Sequence, residues 1–147
     1  DMGCYHCMFE GCTSLTSAPE LPATYLVREC YHSMFNGCTS LASAPILPAT
    51  TLDWGCYSEM FQGCTSLTSA PELPAKELIR NCYQLMFKDC SKLRYVKALF
   101  TTGPSEETTK DWLSGVAASG TFVKSKNATW NVTDVHGIPK GWKIETR

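Results

Sequence analysis

Apolar positions along this chain return at one fixed interval. Met8, Met34, Met60 and Met86 lie 26 residues apart, and each is followed by a phenylalanine (Phe9, Phe35, Phe61, Phe87). Tyr5, Tyr31, Tyr57 and Tyr83 keep the same step, as do Leu15, Leu41, Leu67 and Leu93. The shared unit reads C-Y-x-x-M-F-x-G-C-T-S-L-x-S-A-P-x-L-P-A-x-x-L and runs over three full periods without an insertion. A constant period in the twenties marks a unit that cannot bury its apolar side alone and stacks on its neighbours.

Within a unit, C-Y-x-x-M-F sets apolar groups at i, i+4 and i+5, which predicts about one and a half turns of helix. Gly11, Gly37 and Gly63 follow, as a left-handed helix stop requires. The next stretch, T-S-L-x-S-A, predicts a brief parallel strand. Proline cannot donate to a strand ladder, so pairing is expected to end at or before the column Pro19, Pro45, Pro71. Pro22, Pro48 and Pro74 mark a turn, and Leu26, Leu52 and Leu78 return the chain to the core. The expected fold class is therefore an α/β repeat solenoid with a short helix and a short parallel strand in each coil of 26 residues.

The fourth unit departs from the pattern at Asp89, Ser91-Lys92 and Val96-Lys97, as expected where a terminal coil must face water. Residues 1–97 are read as four coils and 98–147 as a C-terminal α/β capping segment. In that segment Ser105 is placed to cap a helix near 106–118, with Glu106 and Glu107 suiting its first turn. Trp112, Leu113, Val116 and Ala117 form its apolar face, and Gly120 fits its end. Strands are expected at 122–123, 130–132 and 142–145, with a turn at Gly137-Ile138-Pro139. Asp1-Met2-Gly3 aligns with Asp53-Trp54-Gly55, so the chain is expected to start inside a coil of a longer array.

The elements M-F-x-G-C-T-S-L and A-P-x-L-P-A, for example Met34 to Leu41 and then Ala44 to Ala49, resemble the BspA-like leucine-rich repeats of bacterial surface proteins, especially those of gut Bacteroidetes. The usual unit of that family is a few residues shorter and has Ala-Phe where this chain has Met-Phe. The resemblance covers roughly residues 1 to 97, and the later segment looks like C-terminal segments of such proteins. It implies leucine-rich-repeat coils and a secreted or membrane-anchored protein at the cell surface. It also implies adhesion to, or binding of, a host or bacterial surface protein or glycan.

Composition narrows the function classes. A net charge of -1 and no basic stripe leave no electrostatic footprint for nucleic acid. The apolar runs are short and broken by Pro, Gly or Cys, so direct membrane insertion is not expected. Eight of the nine cysteines belong to the repeat, in the series Cys4, Cys30, Cys56, Cys82 and Cys12, Cys38, Cys64, Cys90. One reading makes them small buried hydrophobes. Another pairs Cys4 with Cys12, and likewise in later units, if the chain reverses at the glycine. In a continuous helix such residues would stand about 12 Å apart, too far to bridge.

Cys4-Tyr5-His6-Cys7 contains C-x-x-C and a histidine, and His32 lies one coil on, within reach of His6. Later units replace that histidine with Ser58 and Gln84, so no metal or redox site is expected. No catalytic or phosphate-binding motif occurs, and the chain is read as a binding module without cofactor, not an enzyme. The tyrosines read as a coil-to-coil ladder with hydroxyls reaching water, or alternatively as a carbohydrate platform.

Binding is expected at the positions that vary while the framework stays fixed. These are His6/His32/Ser58/Gln84, Cys7/Ser33/Glu59/Leu85, Glu10/Asn36/Gln62/Lys88 and the stretches before each first cysteine. Trp54, His32, Asn36, Glu59 and Gln62 are the candidate ligand contacts, Trp54 being the one large aromatic in a polar, variable position. The bland reading of Trp54 is a cover for the side of the stack. The alternative function is a rigid architectural spacer in a larger surface protein.

Overall fold

The computed structural model describes residues 3–147; Asp1 and Met2, on which the reading of the chain's start falls, lie outside them. It corrects the expected architecture. The chain is not an α/β repeat solenoid of leucine-rich-repeat coils. Among the described residues, regular structure is confined to strand β1 (Tyr95–Ala98), helix α1 (Glu106–Thr109), strand β2 (Thr121–Lys124) and strand β3 (Lys143–Thr146). The strands form one parallel sheet in the order β1-β2-β3, with Tyr95 opposite Thr121 and Thr121 opposite Lys143.

The expected helix in each unit is replaced by a run of consecutive turns. In the unit that begins at Cys30, alternate N–H groups bond backwards by three residues: His32 to Glu29, Met34 to Tyr31, Asn36 to Ser33 and Cys38 to Phe35. The N–H groups between them cross to the next winding of the chain. Tyr31 donates to the Cys56 carbonyl (3.0 Å), Ser33 to Ser58 (2.9 Å), Phe35 to Met60 (2.9 Å) and Gly37 to Gln62 (2.8 Å). Left-handed residues recur every fourth position, at Glu29 (φ 54), Ser33 (φ 51) and Gly37 (φ 73), and again at Gly55, Glu59 and Gly63. A left-handed residue every four positions prevents a helix from propagating. The crossing bonds satisfy the donors that a helix would have used internally.

A turn run of this kind buries the same positions as a helix. Tyr31, Met34, Phe35 and Cys38 are 0–3% exposed, at i, i+3, i+4 and i+7. Each column stacks on itself from winding to winding. The rings of Phe9, Phe35, Phe61 and Phe87 follow at 5.5, 5.6 and 5.6 Å and lie within 9° of parallel. The tyrosines do the same from Tyr5 to Tyr83, at 5.5, 5.9 and 6.0 Å.

The expected strand in each unit shrinks to isolated bridges, Ser17 to Ser43 and Ser69 to Tyr95. A true strand, β1, appears only in the unit where Lys97 stands in the proline column. Proline's missing N–H accounts for the difference.

The C-terminal segment also differs from expectation. Ser105 caps α1, and its N–H donates to Thr108 Oγ1 at 3.1 Å. The helix stops at Thr109 instead of running to 118. Asp111 (φ 50) and Gly115 (φ 75) are left-handed, 26 residues beyond Leu85 and Asp89. The turn run therefore continues here, with Leu85, Phe87 and Asp89 donating to the carbonyls of Lys110, Trp112 and Ser114 at 2.8–2.9 Å. Residues 130–132 are not a strand. Trp130 stacks on Phe100 at 5.0 Å, its indole donates to the Phe100 carbonyl, and its own carbonyl accepts the buried Lys124 ammonium at 2.6 Å. The indoles of Trp112 and Trp142 likewise donate to Gly137 and Ala117 carbonyls, at 2.9 and 2.8 Å. These three bonds tie the last segments to the end of the stack.

Candidate functional site

The turn runs carry the variable columns as parallel rows. His6 and His32 are adjacent, with ring centroids 4.6 Å apart. Beside them Ser33 Oγ donates to Glu59 Oε2 at 3.3 Å, within the row Cys7, Ser33, Glu59. Burial pushes the His32 imidazole below its ordinary range, with Glu59 pulling it back up and His6 pushing it further down. Burial, then the neighbouring Glu10, pushes the Cys7 thiol up to about 11. Asn36 and Gln62 follow one another in the third row, both half-buried, and Gln62 Oε1 is enclosed without a hydrogen-bond partner among the described residues.

Four of the five candidate contacts thus share one face: His32, Asn36, Glu59 and Gln62. All four are half-buried, so they offer edges of polar groups and not a recessed site. Trp54 belongs to a separate row. Its half-buried ring lies under the Arg28 guanidinium, 4.2 Å from carbon to ring centroid, and the Trp54 backbone N–H donates to Asp53 Oδ1 at 2.7 Å. The indole already has a cationic partner on its face.

The cysteine columns are core positions from the second winding on. Cys30, Cys38, Cys56, Cys64, Cys82 and Cys90 are 0–3% exposed, and all nine cysteines are free thiols. Burial raises Cys64 and Cys82 to about 12. Among the described residues no group of three or more His, Cys, Asp or Glu side chains is arranged to hold a metal ion. The tyrosine ladder exists, but its hydroxyls do not all reach water: those of Tyr57 and Tyr83 are enclosed without a partner among the described residues. Tyr83 is covered by Phe100 and Trp112, at 6.4 and 6.1 Å between rings. From Tyr31 to Tyr83 the rings are buried, which leaves no platform for a sugar ring along that part of the ladder.

Another surface was not among the sequence candidates. The two proline columns line a shallow apolar groove in two adjoining parts, one between Pro19, Pro22, Pro45 and Pro48 and the other between Pro45, Pro48, Pro71 and Pro74. Ile46 stands in its middle with 82% of its surface exposed. Glu20 lines one end, and Glu72, which bonds Lys97 at 2.7 Å, lines the other. The signal was present in the sequence, because Ile46 interrupts the column Glu20/Ile46/Glu72.

Comparison with models of known protein families, with curated proteins and with solved structures finds no match. The reading of function therefore rests on the surfaces just described. Among the described residues no helix is long and apolar enough to cross a membrane.

Proposed function

We propose that this chain is a recognition or adhesion module, binding a protein or glycan at the cell surface, and not a catalyst. The observation that carries the reading is Ile46, an 82%-exposed aliphatic side chain that lines both adjoining parts of the proline-lined groove. Ile46 lies exposed beside the prolines of both parts of the groove, and contiguous exposed apolar surface marks interaction sites. The groove's aliphatic and proline lining suits the apolar side chains of a protein better than the hydroxyls of a sugar. The row of His32, Asn36, Glu59 and Gln62 supplies a second, polar face for the same role. Placement at the cell surface, secreted or membrane-anchored, follows from the resemblance to BspA-like repeats.

The test is a panel of surface proteins and glycans probed with the wild-type chain, with Ile46→Glu and with Trp54→Ala. Loss of a specific interaction in Ile46→Glu, with folding intact by circular dichroism, is the expected result. Binding that survives Ile46→Glu but is lost on replacing His32 or Gln62 would move the site to the turn-run face. The second reading is a rigid spacer, favoured by the uninterrupted ring columns that lock winding to winding. A spacer tolerates substitutions on every exposed face, and absence of any specific partner across the panel would favour it.

A further inference from the structure

Rings stacked from winding to winding share one geometry, and one pair departs from it. The tyrosine and phenylalanine columns lie within 25° of parallel, at 5.5–6.0 Å between centroids. The imidazoles of His6 and His32 stand closer, at 4.6 Å, and are tilted by 53°. Ser58 and Gln84 hold the next two places in their column, so the histidines form one isolated pair. His32 has a winding on either side and is still only half-buried, so this column opens on the flank of the stack and not at its end.

The tilt has a chemical consequence. In a neutral imidazole one nitrogen carries a free lone pair, which lies in the plane of the ring. Parallel stacked rings aim their lone pairs along planes that never meet, whereas planes inclined at 53° cross. An ion on the line of crossing lies in both planes. With nitrogen–metal bonds of about 2.0–2.1 Å, two imidazoles at a right angle on one ion have centroids roughly 4.5 Å apart, which the observed 4.6 Å matches. A right angle separates neighbouring positions of a square or tetragonal shell, the geometry of divalent copper and nickel with nitrogen and oxygen ligands.

Charge favours a cation here, since Glu59, Glu29 and Glu10 each draw positive charge toward His32. No third His, Cys, Asp or Glu side chain is arranged around such an ion among the described residues, so the chain supplies two donors and water the rest. We propose that His6 and His32 form a two-imidazole site for divalent nickel or copper, held at adjacent positions of its shell. Binding makes two nitrogen–metal bonds, releases two waters from the hydrated ion and leaves its oxidation state unchanged. The site shares no residue with the proline groove, so either reading can fail without the other.

Ni2+ is the first probe, titrated calorimetrically into the full chain slightly above neutral pH. A second chain carries Cys4→Ser, Cys7→Ser and Cys12→Ser, which removes the thiols that are not buried. One ion is expected to bind each of these two chains, with equal affinity. His6→Gln and His32→Gln, each folded by circular dichroism, should weaken binding about tenfold or more, because one imidazole alone loses the gain of linking both donors. Should His32→Gln lose its fold, His6→Gln, at an exposed position, decides alone. In the serine chain Cu2+ spin resonance should show coupling to two imidazole nitrogens, falling to one in His6→Gln. Equal Ni2+ affinity in the wild type and His6→Gln overturns the proposal. So does binding that vanishes with the three thiols, or a Cu2+ spectrum with a single coupled nitrogen while both histidines are present.

Discussion

Replacing Phe61 by alanine tests the stacked core most directly. Phe61 is fully buried and lies between Phe35 and Phe87, with both ring centroids at 5.6 Å and planes within 9°. A buried phenylalanine cut to alanine costs about 3–5 kcal/mol, counting lost transfer energy and the cavity left behind. Each offset aromatic pair contributes roughly 0.5–1.5 kcal/mol of that. Phe9 occupies the same column in the first winding but is half-buried and stacks only on Phe35. With one pair and part of the burial, Phe9→Ala should cost about 1–2 kcal/mol. Urea unfolding followed by tyrosine and tryptophan fluorescence measures both. Hydrogen exchange at the first winding separates local fraying from global loss, which matters because stacked units lose their ends first. Equal costs for the two variants would refute the argument that burial between windings, and not each unit alone, stabilises the chain.

Thiol reactivity should divide by winding: at pH 8 Cys4 and Cys12 alkylate readily, while Cys64 and Cys82, which burial raises to about 12, react only on unfolding. Mass spectrometry of the labelled peptides reads this, and fast labelling of Cys64 in the native chain would contradict the burial. His32 makes stability depend on pH. Burial holds its folded value below the unfolded 6.5, so below that pH the unfolded chain binds the extra proton first. Stability is then complete above 6.5 and declines as pH falls from 6.5 toward the folded value, against the opposing pull of Glu59, Glu29 and Glu10. His32→Gln should flatten that decline in urea midpoints measured from pH 8 to 5; an unaltered profile would assign it to other groups. Gly137→Ala should destabilise the C-terminal segment by about 1–3 kcal/mol, since its Cβ would sit 2.6 Å from the Val132 carbonyl carbon and 2.8 Å from the Val132 side chain. Thermal unfolding measures the loss, and a neutral result would mean that the segment shifts freely.

The apolar columns were legible because they depend on composition and spacing alone. Burial of Tyr, Met, Phe, Leu and both cysteine columns follows from the 26-residue register, and the second to fourth windings bury each of them. Local conformation was not legible. A run of turns with a left-handed residue at every fourth position buries i, i+3, i+4 and i+7 as a helix does, so hydrophobic periodicity cannot separate the two. The glycines at 11, 37 and 63 do carry the expected positive φ, but so do Cys7, Ser33, Glu59 and Leu85, which no local preference announces. Adjacency of His6 and His32 followed from their shared column. The Arg28 cover on Trp54 depended on the neighbouring winding.

The sequence by itself determined which residues stack, because a side chain repeated at constant spacing meets its own kind one winding later. Only the tertiary structure decided how the backbone runs between those columns. There, N–H groups that a solitary segment would turn inward are drawn across to the next winding's carbonyls. That crossing makes turns cheaper than helix and keeps each left-handed residue in place. Within the turn runs these bonds all point one way, from the earlier winding to the later, as in Tyr31 to Cys56, a direction that residue spacing alone does not encode.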